Sequence, residues 1–381
     1  MINAGKKALL PDGLRDGLPP DAAHEANIVN RLLSSFESYG YARVTPPLVE
    51  FEDTLLDGAA LSIANATFRL MDPVSQHMMG VRADMTLQVA RIATTRLAKA
   101  ARPLRLAYSG QVLRVRGSQL RPEREFRQAG VELIGAADPA ADAEVISLAA
   151  TALSNAGVSE LSVDINLPTL VPTLCEVLTL DEATVQSLRA ALDRKDAEAV
   201  AAAGEGTDVF LRLLDATGPA DEALAVLESI DLPEAASMEC VRLADVVALV
   251  KQALPEVMIT VDPVEHRGFE YHSGLSFTLF ARGVRGEIGR GGRYLAGAQG
   301  EAATGFSLFL DSLLRAVPAP EAPARVYLPF GTKPAQAVEI RAEGWIAVAG
   351  LASAQGASGE AKRLSCSHVY IDGRAVALVD E

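Results

Sequence analysis

In GQVLRVRGSQLRPEREFRQAGVELIG (Gly110–Gly135) two short periodic runs flank a polar loop. Val112–Arg116 alternates apolar and basic residues, so as a strand it sends Arg114 and Arg116 to one face and Leu113 and Val115 to the other. Gly117–Glu123, with Gly, Ser and Pro, reads as the connection. Phe126–Ile134 reads as a second strand with Gln128 and Glu132 on a common face. Antiparallel pairing of the two sets a pair of arginines beside a carboxamide and a carboxylate. Such a surface can take a zwitterion: guanidinium binds a carboxylate bidentately, and the oxygens accept from ammonium or ring N–H. A solvated strand face with its charges paired to each other fits the same residues.

Upstream, Ala8–Pro20 is punctuated by proline and glycine, and Asp21 reads as the N-cap of a helix over Ala22–Tyr39 ended by Gly40. Tyr41–Val49 reads as a strand that Pro46–Pro47 confines to an edge or interface. Short strands at Thr67–Asp72 and Met78–Arg82 and a helix over Thr86–Ala101 follow. Downstream come a helix at Ala140–Ala156 and a strand at Leu161–Asn166. Leu170–Leu254 then turns rich in alanine, leucine and acid, as a helical insertion would. Strand character resumes at Val257–Val261 and His272–Ala281, and a helix is expected over Phe306–Ala316. Past the linker VPAPEAPA (Val317–Ala324), VYLP, PAQAVEIRAEGW and IAVA read as strand, helix and strand. A hairpin turning at Asp372–Gly373 closes the chain. The expected division is a body at 1–166 and 256–317, an insertion at 167–255 and a small α/β module at 325–381.

A chain of 381 residues suits two or three such domains. Its net charge of −14 argues against general binding to nucleic acid or anionic membrane, since both need a positive field. Cys175, Cys240 and Cys366 are isolated, which suits a reducing cytoplasm and no disulfide framework. The start MINAGKKALLPDG is too short and polar for a signal peptide, and no apolar run approaches the ~20 residues that span a bilayer.

Three further clusters carry polar or glycine residues. Arg82-Ala-Asp84-Met-Thr86 precedes a helix and reads either as a local Asx or cap arrangement or as acceptors for an ammonium group. Arg267-Gly-Phe-Glu-Tyr271-His272-Ser-Gly274 reads as a strand with Arg267 and Tyr271 on one face. Gly289-Arg-Gly-Gly-Arg293-Tyr294 lacks the spacings of dinucleotide and P-loop sites and reads as a glycine-rich turn lying close to another group. Zinc-type spacing, the GxSxG elbow and hydrolase spacing are missing, so no metal or cofactor is expected and no catalytic residue is named.

In order, these clusters resemble the class II aminoacyl-tRNA synthetases, and the histidyl-tRNA synthetase family in particular, from about Leu9 to Ala316. Gly40–Pro47 is similar to the family's first motif, Arg114 stands at the motif-two arginine, and RGFEYHSG is similar to the histidyl signature. GGRY resembles the approach to motif three. The resemblance implies an α/β (α+β) fold, an antiparallel sheet flanked by helices with a helical insertion. It implies that Asp84, Thr86 and Gln128 hold an α-amino group, Arg267 meets the carboxylate and Glu132 accepts from an imidazole. Tyr271 and Tyr294 would wall that pocket, with Arg114 counted in the same histidine-binding set. His272 stands where the synthetases carry a second tyrosine.

The departures fall on the triphosphate side. Arg116 takes the place of the motif-two glutamate, and Ser312 the place of the motif-three arginine on the γ-phosphate. Losing that cation removes transition-state stabilisation for adenylation. The stretch Arg325–Glu381 is shorter than the family's anticodon-binding domain. A histidine-binding synthetase body without adenylation machinery resembles the paralogous branch that serves as regulatory subunits of ATP phosphoribosyltransferase. That resemblance implies a non-enzymatic, cytoplasmic chain that dimerises near Gly40–Pro47 and joins a short-form catalytic subunit in a hetero-oligomer. L-histidine would be its effector, in the first step of histidine biosynthesis, and tRNA and membrane would play no part. An anion at Arg116 and the RGSQLRPER loop (pyrophosphate or phosphoribosyl pyrophosphate) stays open, as does an empty-pocket scaffold. So do an active histidyl-tRNA synthetase and a paralogue acting on another amino acid.

Overall fold

The computed structural model describes residues 9–58, 61–119, 121–204, 206–265, 272–321, 323–353 and 356–378. The chain divides into two compact units, Met1–Pro318 and Ala319–Glu381. The first is built on a nine-stranded sheet among the described residues. In spatial order its strands are Ala42–Arg43, Leu104–Leu113, Glu125–Ile134, Glu301–Phe309, Gly289–Ala296, Ser276–Ala281, Leu161–Asn166, Met258–Asp262 and Gly218–Pro219. The six from Leu104–Leu113 to Leu161–Asn166 run antiparallel, neighbour to neighbour.

Side chains alternate across this sheet with the period of two that extended backbone imposes. Ala107, Ala129, Val131 and Leu133 face one core, packed with the helices Asp21–Ser38 and Pro139–Ala156. Leu106, Tyr108, Val112 and Ile134 face a second core built around the helix Thr86–Thr94. Leu32 and Phe36 of the first helix are fully buried, each contributing about 1.5–3 kcal/mol over exposure.

Several elements differ from the sequence reading, each for a physical reason. The first helix begins at Asp21 itself, after Pro20, so Asp21 supplies charge to the first turn rather than a side-chain cap. Gly40, at φ 82°, follows its end. Of Tyr41–Val49 only Ala42–Arg43 joins this sheet, parallel to Leu106–Ala107, because Pro46–Pro47 cannot extend the ladder. Val49–Phe51 instead joins a three-stranded sheet with Phe68–Met71 and Met78–Val81. The helix expected to reach Ala101 stops at Thr94. There the Thr94 and Thr95 hydroxyls donate back to Ala90 and Arg91 carbonyls, and the Arg102 guanidinium takes the carbonyls of Ala93, Leu97 and Ala100.

Phe306–Phe309, expected as helix, is the end of the strand Glu301–Phe309, and the helix is Leu310–Ala316. That strand is buried on both faces, so it lacks the alternation that marks a half-buried one. Gly289–Tyr294 is strand rather than turn, and the close approach is real: a Cβ on Gly291 would lie 2.2 Å from the Gly305 carbonyl oxygen.

The described residues of 170–253 form six helices, ending in Glu234–Ala253, and the two-residue strand Gly218–Pro219. They belong to the same compact unit as the sheet. The second unit is a four-stranded sheet in the order Ile346–Ala349, Arg325–Leu328, His368–Ile371, Arg374–Ala377. Asp372 at φ 46° and Gly373 at φ 86° make its hairpin turn, the left-handed pair that a two-residue loop needs. A helix at Ala357–Arg363 was absent from the sequence reading. Among the described residues no helix is long and apolar enough to cross a membrane.

Candidate functional site

A cavity of about 380 Å³ opens on the face of the sheet that carries Tyr108 and Glu132. Glu132 lies at its floor, buried, on the central strand Glu125–Ile134. Its Oε1 accepts from the Tyr108 hydroxyl at 3.1 Å and its Oε2 from the Tyr294 hydroxyl at 2.9 Å. The Tyr108 hydroxyl also meets Ser307 Oγ at 2.9 Å and Thr86 Oγ1 at 3.5 Å. No cation compensates the carboxylate within this group, so burial pushes its pKa up to about 8. Burial, and then Glu132 itself, likewise raise the Tyr108 phenol well above its ordinary value. Burial thus favours the neutral acid on this floor, and a ligand that donates an N–H favours the ionised form.

Two glycines make the arrangement possible. A Cβ on Gly305, on the adjacent strand, would stand 2.0 Å from Glu132 Oε2. One on Gly130, opposite Tyr108 in the ladder, would stand 2.6 Å from the Tyr108 hydroxyl.

Asp84, just before the helix Thr86–Thr94, and Thr86, its first residue, line the same cavity. Asp84 Oδ1 accepts from the Thr86 backbone N–H at 2.8 Å and Oδ2 from the Gln128 carboxamide at 2.7 Å. The local Asx turn and the placement in the cavity therefore hold together. Gln128 is fully buried and does not line the cavity; its Oε1 takes the Met85 N–H at 3.0 Å, fixing the Asp84 segment from below. The buried Arg82 guanidinium anchors the other side, donating to the carbonyls of Gln111 at 2.7 Å and Pro46 at 2.9 Å.

Of the sequence-named residues, Asp84, Thr86, Arg114, Glu132 and Tyr294 line one cavity. His272 does not line it: it is buried under Gly292, whose Cβ would meet the His272 ring at 2.5 Å. Arg267 and Tyr271 lie outside the described residues. Arg114 stands just past the strand Leu104–Leu113, in a single bridge with Thr67, so the expected strand over Val112–Arg116 is two residues long and the rest is loop. Arg114 and Arg116 nevertheless both border the cavity.

At the far end the loop folds back on itself. Arg121 is buried, bidentate to Asp311 at 3.0 and 3.1 Å, with Glu287 at 3.9 Å. Its guanidinium lies over the rings of Phe126, at 4.4 Å, and Phe309, at 3.9 Å. Ser312, next to Asp311, is fully buried and accepts from Arg315 at 3.1 Å. Tyr108, Ser307 and the Arg121–Asp311 pair were not singled out from the sequence. Tyr108 had a signal there, since it shares the strand parity of Arg114 and falls opposite Gly130 once Gly110 is paired with Gln128.

A family model described as Histidyl-tRNA synthetase matches residues 13–313. The ATP phosphoribosyltransferase regulatory subunit of Rhodospirillum centenum is 55% identical over 374 residues, covering 98% of this chain and 97% of that one. The chain belongs to the ATP phosphoribosyltransferase regulatory subunit family. Its fold is that of the class II synthetases: a solved ATP phosphoribosyltransferase regulatory subunit/histidyl-tRNA synthetase from Bacillus halodurans superposes with a TM-score of 0.81 at 25% identity, over 93% of this chain and 96% of that one. An ATP phosphoribosyl transferase complex from Thermotoga maritima shares the fold with a TM-score of 0.59 at 17% identity, over 75% and 97% of the two chains.

Proposed function

We propose that this chain is the non-catalytic regulatory subunit that assembles with a short-form ATP phosphoribosyltransferase catalytic subunit in the cytoplasm, and that its cavity binds L-histidine as the effector. One observation carries the reading: Glu132 is a buried carboxylate with hydroxyl partners, facing open space between Asp84 and Tyr294. An imidazole N–H is suited to Glu132, an ammonium group to Asp84 and Thr86, and a carboxylate to a guanidinium from Arg114. Membership of a family named for a regulatory subunit supports the assembly, and the Arg121–Asp311 pair in the far half supports the loss of adenylation. Self-association near Gly40–Pro47 completes the proposed hetero-oligomer. Histidine then shifts the assembly toward a less active arrangement, with a coupling of about 1–3 kcal/mol as is usual for effectors.

Calorimetry with L-histidine, on the pure chain and on the assembly co-expressed with the catalytic subunit, tests this directly. Saturable binding that weakens at least tenfold in Glu132→Gln is expected, together with lower phosphoribosyl transfer when histidine is present. Histidine-dependent ATP–pyrophosphate exchange by the pure chain, or no histidine binding in either form, overturns the proposal.

A further inference from the structure

Tyr294 reaches Glu132 from a strand poor in side chains. Gly289, Gly291 and Gly292 precede it, and glycine gives a strand neither packing nor conformational restraint. The ladder to Ser276–Ala281 stops at Gly292, so the register from Arg293 onward is kept with Glu301–Phe309. Arg293 faces the other side of the strand from Tyr294 and supplies the anchor that the glycines lack. Its guanidinium is buried: Nε donates to Asp142 Oδ2 at 3.1 Å, Nη2 lies 2.9 Å from Asp142 Oδ1, and Nη1 donates to the Ala136 carbonyl at 2.9 Å. Its backbone N–H donates to the Leu275 carbonyl at 2.8 Å, and its own carbonyl accepts from the Ser273 N–H at 2.9 Å.

Asp142 is shared. It is fully buried in the first turn of the helix Pro139–Ala156, where the helix dipole favours a carboxylate. Its Oδ2 also accepts from Arg242 Nη2 at 2.7 Å, shorter than either contact to Arg293. Arg242 belongs to Glu234–Ala253, the last helix of the insertion, and no described residue of 170–253 lines the cavity. One buried carboxylate thus stands between a guanidinium from the insertion and a guanidinium from the cavity strand. In a buried network of this kind the placement of each member depends on the others.

We infer that Arg242 and Asp142 are positioning residues for the cavity: through this shared carboxylate the helical insertion fixes Arg293, holds the Tyr294 hydroxyl on Glu132 and sets the affinity for the ligand received there. The inference rests on the histidine reading only for the ligand that reports it, because the Tyr294–Glu132 contact can be followed with no ligand present.

A double-mutant cycle on the full chain tests this, with Arg242→Ala, Tyr294→Phe and the double variant. It is read by calorimetry with L-histidine and by carbon NMR of the Glu132 carboxyl group in protein made with isotope-labelled glutamate, its resonance being the one missing from Glu132→Gln. Arg242 is partly exposed, so its truncation does not open the core. Arg242→Ala is expected to weaken histidine about fivefold, within the usual range for residues that modulate a site without touching its ligand. It is also expected to raise the Glu132 midpoint by about half a pH unit, since burial raises that pKa and the Tyr294 hydrogen bond opposes the rise. In the Tyr294→Phe background, where the hydroxyl is already gone, Arg242→Ala is expected to change neither. Arg242→Lys, which keeps a cation near Asp142, restores both. Lys195→Ala breaks another ion pair between the insertion and the sheet, Lys195–Asp262 at 2.6 Å, and leaves both unchanged. An undiminished effect of Arg242→Ala in the Tyr294→Phe background, an equal effect from Lys195→Ala, or a readout that Arg242→Ala leaves unmoved overturns the inference. A wild-type chain that binds no histidine overturns the effector reading instead, and the Glu132 midpoint then decides the inference alone.

Discussion

At one end of the cavity Glu132 lies buried with hydroxyl groups for partners, while at the other Arg121 lies buried between two phenylalanine rings with Asp311 in bidentate contact. Both are ionisable side chains removed from water, and the chain treats them oppositely. The arginine is given a bidentate carboxylate from the helix Leu310–Ala316 and two aromatic faces, so its charge is compensated there. The carboxylate is given hydroxyl donors and, among the described residues, no ion-pair partner, and its charged form waits for a ligand. A completed ion pair stabilises a fold; an incomplete one keeps a site open.

Breaking the completed side is expected to have the largest effect. Asp311→Ala leaves the Arg121 guanidinium buried with only the more distant Glu287, and removal of one partner from a buried pair costs about 3–5 kcal/mol. Urea unfolding of the pure chain reads it. A loss below about 1 kcal/mol means that the Phe126 and Phe309 rings alone hold Arg121, and the contrast between the two ends disappears.

Next comes the space under the incomplete side. Gly305→Ala places a methyl carbon 2.0 Å from Glu132 Oε2 and 2.5 Å from the Val131 carbonyl, both on a strand that cannot retreat. Overpacking of this kind costs about 1–3 kcal/mol. The carboxylate must leave its place between the tyrosines, so histidine binding is expected to fall further than stability does. Unchanged histidine affinity in a folded Gly305→Ala protein shows that Glu132 does not touch the ligand.

Much of this was legible beforehand, and the rest was hidden for identifiable reasons. The strand Glu125–Ile134 and its Gln128–Glu132 parity follow from period-two patterning, as does the hairpin at Asp372–Gly373 from its turn residues. The strand Glu301–Phe309 was read as partly helical because a strand buried on both faces shows no alternation. Gly289–Tyr294 was read as a turn because glycine looks the same whether it bends a chain or lets two strands approach. His272 was placed by position in a motif, yet its ring is buried under Gly292. The Arg121–Asp311 pair joins residues 190 apart, a long-range contact that no local pattern signals.

The mildest effect concerns protons. Glu132 titrates at about 8 in the folded chain against an ordinary value of 4.5, because burial disfavours its charge and Asp84 adds to that, with Tyr108, Tyr294 and Thr86 opposing it through hydrogen bonds. Between those values the folded state holds a proton that the unfolded state has released, so unfolding stability falls as pH rises. The contribution is complete below pH 4.5 and lost once pH passes about 8, at a slope of no more than about 1.4 kcal/mol per pH unit. Urea midpoints at pH 5.5, 6.5 and 7.5 are expected to decline in the wild type and to decline less in Glu132→Gln, whose amide cannot ionise. Saturating histidine adds a donor that favours the carboxylate, which lowers the Glu132 pKa and flattens the wild-type profile toward that of the variant. Parallel profiles for both proteins, with and without histidine, mean that Glu132 is already ionised in the empty chain, and the two ends of the cavity are then alike.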